Sequence, residues 1–151
     1  MDNYDLLRVI LRDPVLSLTF VGSYANDRLP VTVQRPAGLI INTQNSDQPG
    51  QHWVAVYIPN SGYGVYFDSL GGAPSVQVRQ FLERNTRSWV RTPTPIQHSR
   101  STLCCLYCIV FLYFMSRHCS LRHFLNFFYT TQLHCNDYIL LCIAKHIGFF
   151  Q

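Results

Sequence analysis

The stretch Leu103-Cys-Cys-Leu-Tyr-Cys-Ile-Val-Phe-Leu-Tyr-Phe-Met115 decides the fold: it is nearly all apolar, with no Gly, Pro or charged residue. At a rise of about 1.5 Å per residue it makes a rod of roughly 20 Å, short of the ~30 Å hydrocarbon core of a bilayer. It therefore predicts a helix buried on all sides, around which the other elements pack. The loop Thr92 to Ser101 leads into it, and Ser101 or Thr102 is placed to cap it. Cys104 then falls in or beside the first turn, where unpaired N–H groups and the positive end of the helix dipole point outward.

Upstream, Leu6, Leu7, Ile10 and Leu11 recur at helical spacing, and Pro14 is expected to end that helix. Leu39 to Asn42 and Trp53 to Ile58 have the β-branched and aromatic content of strands, with a polar loop from Thr43 to Gly50 between them. Pro59, Asn60, Ser61 and Gly62 supply a turn before a further strand, Gly64 to Asp68. Pro74 to Glu83 reads as an amphipathic helix burying Val78, Phe81 and Leu82, and Tyr138 to Ile147 as a closing helix. The fold class expected is α+β: a small mixed sheet packed against a buried central helix carrying the nucleophile, with flanking helices, in one domain over residues 1–151.

The hairpin matters for chemistry. If its strands pair about a tip near Asn60 and Ser61, position 52 lies opposite position 68, with Cβ atoms roughly 5 Å apart on one face. A slip of one residue would put them on opposite faces.

Composition bounds the partners. Charged residues are 13% of the chain, so much of the surface is neutral or apolar, and a partner could cover part of it. The net charge of +4 rests on eleven arginines and one lysine, Lys145, without a run of like charge. Arg79, Arg84, Arg87, Arg91 and Arg100 form a basic stretch able to neutralise phosphates, although an ordinary solvated face is the preferred explanation. The first fourteen residues lack the pattern of a signal peptide, and all six cysteines lie at or beyond position 104. Free thiols in a reducing intracellular compartment, not a secreted disulfide framework, are expected.

Four residues suit one chemistry. A cysteine attacks a carbonyl as thiolate, and a helix N-terminus with a neighbouring imidazolium lowers its pKa from about 8.5 by several units. Cys104 is offered that environment, whereas Cys105 is rotated away and Cys108 lies one turn deeper, both reading as small buried hydrophobes. His52 can take and return the proton, and Asp68 across the hairpin can fix its tautomer and stabilise its charged form. Asp68 equally suits the start of a turn before Ser69 and Gly71. Gln97, on the loop feeding the helix, can aim its amide N–H at an oxyanion together with the Cys104 backbone N–H.

Two other readings compete. Cys105 and Cys108 form a CxxC, with His118 and His123 following at finger-like spacing, but the pair sits inside an apolar helical run with no turn to wrap a zinc ion. A noncatalytic binding module on the same fold is the other, because residue types alone do not establish activity.

The order His52, Asp68, Gln97, Cys104 resembles the adenovirus-type cysteine proteases, in the clan that also holds the SUMO-deconjugating proteases. The resemblance rests on Phe20-Val-Gly-Ser-Tyr24, Ile41-Asn-Thr43, Gln51-His-Trp53, Tyr66-Phe-Asp-Ser-Leu-Gly71, Ser101-Thr-Leu-Cys104 and Tyr107-Cys108, with seven residues from Gln97 to Cys104. It implies a monomeric viral thiol endopeptidase, without membrane attachment, that matures capsid or core precursor polypeptides in the host nucleus or virion. Cleavage at small, Gly-containing sites follows, with Trp53 as a wall of the substrate cleft. A deconjugating protease for a ubiquitin-like modifier is the alternative within the same resemblance.

Three features depart from that family. Cys105 stands where the family has glycine after its nucleophile. The family's activating viral peptide is disulfide-linked upstream of the glutamine, yet no cysteine precedes Cys104, so that link cannot form here. The stretch between the central and last helices is short. No metal or other cofactor is required by the residues themselves, while an activating peptide without the disulfide, and DNA, are expectations from the resemblance.

Overall fold

The computed structural model describes residues 3–47 and 52–150, so Gln51 and part of the Thr43 to Gly50 loop lie outside the described residues. The chain runs α1 (Asn3–Arg12), α2 (Pro14–Thr19), β1 (Phe20–Ala25), β2 (Ala37–Asn42), β3 (Trp53–Ile58) and β4 (Gly64–Phe67). It continues with α3 (Val76–Asn85), β5 (Trp89–Arg91), α4 (Cys104–Ser116), α5 (Leu121–Leu125), a 3-10 turn (Leu133–Cys135) and α6 (Asn136–His146). This is the expected α+β class, and the sheet is mixed: its order is β1-β2-β3-β4-β5, with an antiparallel centre and a parallel strand at each edge.

The central strands are apolar throughout because both of their faces are covered. On one face Ile40, Ala55, Tyr57 and Phe67 pack against α4, and on the other Leu39, Ile41, Val54, Val56 and Tyr66 meet Val78, Phe81 and Leu82 of α3. In α4, eleven of thirteen residues are buried, so the run with no polar face forms the central rod as expected. Phe111 of α4 stacks on Phe67 at 4.6 Å between ring centroids, and Phe124 of α5 meets both edge-on.

The structure corrects several local expectations. Pro14 starts a second helix as well as ending the first: Asp13 caps it by accepting from Leu16 N–H at 2.7 Å, and Pro14 occupies the first turn, where its missing N–H costs nothing. Leu6 and Ile10 are buried, but Leu7 and Leu11 face solvent. The edge strands β1 and β5 escaped the pattern, because Gly22 and Ser23 dilute one and the other is three residues long. Neither Ser101 nor Thr102 caps α4. Leu103 occupies the N-cap with no side-chain hydrogen bond, and Ser101 Oγ instead accepts from Leu103 N–H at 3.2 Å.

All six cysteines are free thiols. Arg79, Arg84, Arg87, Arg91 and Arg100 are exposed. No helix among the described residues is long and apolar enough to cross a membrane.

Candidate active site

The hairpin and the N-terminus of α4 meet where the four singled-out residues lie. His52 sits at the entrance to β3, and Asp68 directly follows β4. Their side chains join, His52 Nε2 lying 2.7 Å from Asp68 Oδ1. The pairing is not the one expected from the tip. Ala55 faces Phe67, Val56 faces Tyr66 and Tyr57 faces Val65, which puts position 54 across from 68. The register is displaced by two residues, which preserves the face, and diagonal neighbours stay within reach of a long side chain.

Asp68 is held from several sides. Its Oδ1 also accepts from Leu70 N–H at 2.9 Å and its Oδ2 from Gly72 N–H at 3.2 Å, while its carbonyl accepts from Gly71 N–H at 2.8 Å. It therefore initiates a turn and is hydrogen-bonded to the histidine at once. The buried Thr92 hydroxyl bridges to the Asp68 N–H and carbonyl at 3.0 and 3.1 Å. Sequence reasoning passed over Thr92, which it placed in a loop.

With Nε2 engaged by Asp68, Nδ1 is the ring nitrogen left to face the Cys104 sulfur, and the two groups lie close enough to shift one another's pKa. Burial disfavours the charged ring, but the hydrogen bonds to Asp68 and Cys104 and their charges outweigh it and lift His52 to about 9. For Cys104, burial pushes the thiol up. The hydrogen bond and charge of His52, with the backbone N–H groups of Trp53 and Cys105, prevail and hold it below its ordinary value. Both shifts favour the thiolate–imidazolium form of the pair.

The neighbouring thiols behave oppositely. Burial, with the charge of Cys104 added, pushes Cys105 up to about 12, and burial pushes Cys108 well above the ordinary range. Cys108 Sγ donates to Trp53 O at 3.4 Å. Among the described residues no three His, Cys, Asp or Glu side chains converge closely enough to hold a metal ion.

Gln97 is buried on the loop before α4, its Nε2 donating to Ser101 O at 3.0 Å and its Oε1 accepting from Ser69 Oγ at 2.5 Å. The loop is tied to α6: Asn136 Nδ2 donates to Ile96 O at 2.7 Å, and Asp137 Oδ1 accepts from Ser101 Oγ at 2.8 Å and from Tyr107 OH at 3.0 Å. Ser69, Asn136 and Asp137 were not foreseen as site residues, and only the adjacency of Ser69 to Asp68 hinted at one of them. Trp53 lines a cleft with Leu103, Cys104, Cys105, Leu141 and Phe150 around about 370 Å³ of space.

An uncapped helix start, a depressed thiol and an imidazole oriented by a carboxylate form the constellation that thiol-dependent acyl transfer requires. No family model matches the chain. It is 30% identical over 109 residues to a protein named a cysteine protease from the Malawi tick isolate of African swine fever virus, a match covering 62% of this chain and 40% of that one. A counterpart named a SUMO-1 cysteine protease, from the Pretoriuskop tick isolate, is 30% identical over the same shares. The chain thus spans about 40% of the curated relatives it matches. A crystal structure of the African swine fever virus protease superposes with a TM-score of 0.61 at 20% identity, covering 87% of this chain and 63% of that one. A selenomethionine form gives 0.54 at 24% identity, covering 79% and 46%. These likenesses show the fold.

Proposed function

We propose that this chain is a viral-type cysteine endopeptidase in which Cys104 is the nucleophile, His52 the proton carrier, Asp68 its orienting carboxylate and Gln97 an oxyanion donor. The observation that carries the reading is the His52 ring, held by Asp68 at 2.7 Å and close enough to Cys104 at the start of α4 to lower its thiol pKa. The Cys104 thiolate attacks the scissile carbonyl carbon. The oxyanion so formed meets the Cys104 N–H and the Gln97 amide. The His52 imidazolium gives its proton to the departing amine, leaving a thioester on Cys104. His52, now neutral, takes a proton from water as the water attacks the thioester, releasing the acid and restoring the thiolate–imidazolium pair.

Precursor polypeptides cut at small, Gly-containing sites are the proposed substrates, as in the adenovirus-type enzymes, with Trp53 walling the cleft. Deconjugation of a ubiquitin-like modifier is the second reading, favoured by the name of the SUMO-1 cysteine protease among the relatives. Both are tested by incubating the protein with a peptide library and with SUMO-1 conjugates, with and without duplex DNA. Cleavage by wild type and none by Cys104→Ala supports the reading, and a wild type inert in every arm overturns it.

A further inference from the structure

We infer that Ser69 is a positioning residue for the oxyanion donor: its hydroxyl fixes the Gln97 amide so that one N–H remains free for the reacting carbonyl. The inference rests on the cysteine-protease reading of the site and adds to it a residue that acts through Gln97.

Ser69 is fully buried, and its Oγ donates to Gln97 Oε1 at 2.5 Å. Its carbonyl also accepts from the N–H groups of Ile96 and Gln97, each at 2.9 Å, so the same residue holds both the backbone and the side chain of Gln97. On the far side of the amide, Nε2 donates to Ser101 O at 3.0 Å. A carboxamide nitrogen carries two hydrogens and its oxygen carries none. Turning the amide over would set Oε1 against the Ser101 carbonyl oxygen, two acceptors with no proton between them. The Ser101 carbonyl, an acceptor only, thus selects one orientation, which the Ser69 hydroxyl holds by donating to Oε1; one Nε2 hydrogen is used by Ser101 and the second is left over.

The acceptor side of this clamp is itself fixed. Ser101 Oγ donates to Asp137 at 2.8 Å, and the buried Asn136 donates to Ile96 O at 2.7 Å, so α6 holds the loop that Ser69 holds from the sheet. Two consecutive residues after β4 therefore hold two different side chains of the site: Asp68 binds the histidine, and Ser69 binds the glutamine.

The test is a double-mutant cycle of Ser69→Ala and Gln97→Ala in the full chain, read as kcat and KM on a cleaved peptide and as the iodoacetamide alkylation rate of Cys104. Alkylation needs the thiolate but no oxyanion donor. Ser69→Ala is expected to lower kcat by about tenfold, within the roughly 10²- to 10³-fold reported by loss of a whole oxyanion donor, with KM and the alkylation pH profile unchanged. In the Gln97→Ala background it should cause no further loss, and Ser69→Thr, which keeps the hydroxyl, should recover kcat. Losses that multiply, or an alkylation rate that falls with kcat, overturn the inference while leaving the protease reading intact. If Ser69→Ala does not fold, the Ser69→Thr variant decides: a folded threonine protein with kcat as low as that of Gln97→Ala overturns it. A wild type that cleaves no peptide overturns both readings.

Discussion

His52 Nε2 reaches Asp68 Oδ1 at 2.7 Å along a diagonal of the β3–β4 hairpin, from two residues beyond the position that faces Asp68. The carboxylate lies past the last ladder pair, where the chain turns and its own Leu70 and Gly72 N–H groups hold it in place. The imidazole is thus oriented by a group that is itself anchored to backbone.

Replacing that group tests the arrangement. Asp68→Asn keeps the size of the side chain but removes its charge, and kcat is expected to fall by about 10²- to 10⁴-fold with the far-ultraviolet spectrum unchanged. A variant retaining more than half of wild-type kcat would remove Asp68 from the mechanism.

The pH dependence follows from the two shifted groups. The thiolate–imidazolium form exists above the lowered pKa of Cys104 and below about 9 for His52. Turnover should therefore persist below the ordinary thiol range and decline as pH rises through 9. His52, raised from 6.5, contributes stability that is complete below its unfolded value and lost as pH rises through about 9. Cys104, lowered, contributes stability above its unfolded value that is lost as pH falls through its folded one. In Asp68→Asn the alkaline limb should move to lower pH, and an unmoved limb would assign it to another group.

Gly71 and Gly72 separate stability from activity. Gly71 has φ +77°, and a Cβ there would lie 2.6 Å from Pro95 N, a backbone atom, so Gly71→Ala should destabilise by about 1–3 kcal/mol or more in urea unfolding. A Cβ on Gly72 would meet Asp68 Oδ2 at 2.8 Å. Gly72→Ala should therefore displace the carboxylate and cut kcat more than it shifts the unfolding midpoint.

His118 is the only non-glycine residue with positive φ among those described, at 66°, where α4 ends and the Cys119 N–H reaches back to Phe114 O at 3.1 Å. Its side chain is exposed. His118→Gly should raise stability by about 1 kcal/mol, read as a higher melting temperature, because glycine adopts this conformation without a steric penalty. A lower one would mean that the imidazole makes an interaction worth more than the strain.

The core carries the scaffold. Phe111→Ala removes the ring stacked on Phe67 at 4.6 Å and should cost about 3–5 kcal/mol, measured by denaturant unfolding. A loss under about 1 kcal/mol would mean that the packing around α4 collapses into the space.

Sequence alone determined the elements whose pattern is set by local chemistry and burial. The apolar run from Leu103 read as an enclosed helix, the β-branched run from Trp53 to Ile58 as a strand, and a cysteine at the start of that helix as one facing its dipole. It also supplied the ordered set of Cys104, His52, Asp68 and Gln97, because their residue types suit one chemistry. What it could not fix was register and clamping, since hydrophobic alternation distinguishes odd from even displacements but not a displacement of two. The tertiary structure decided that His52 reaches Asp68 on a diagonal, that Leu103 leaves the helix start uncapped, and that Ser69, Thr92, Asn136 and Asp137 hold the site together. Those contacts join residues as far as 40 positions apart, and hydrogen bonds between distant segments leave no periodicity in the chain to read.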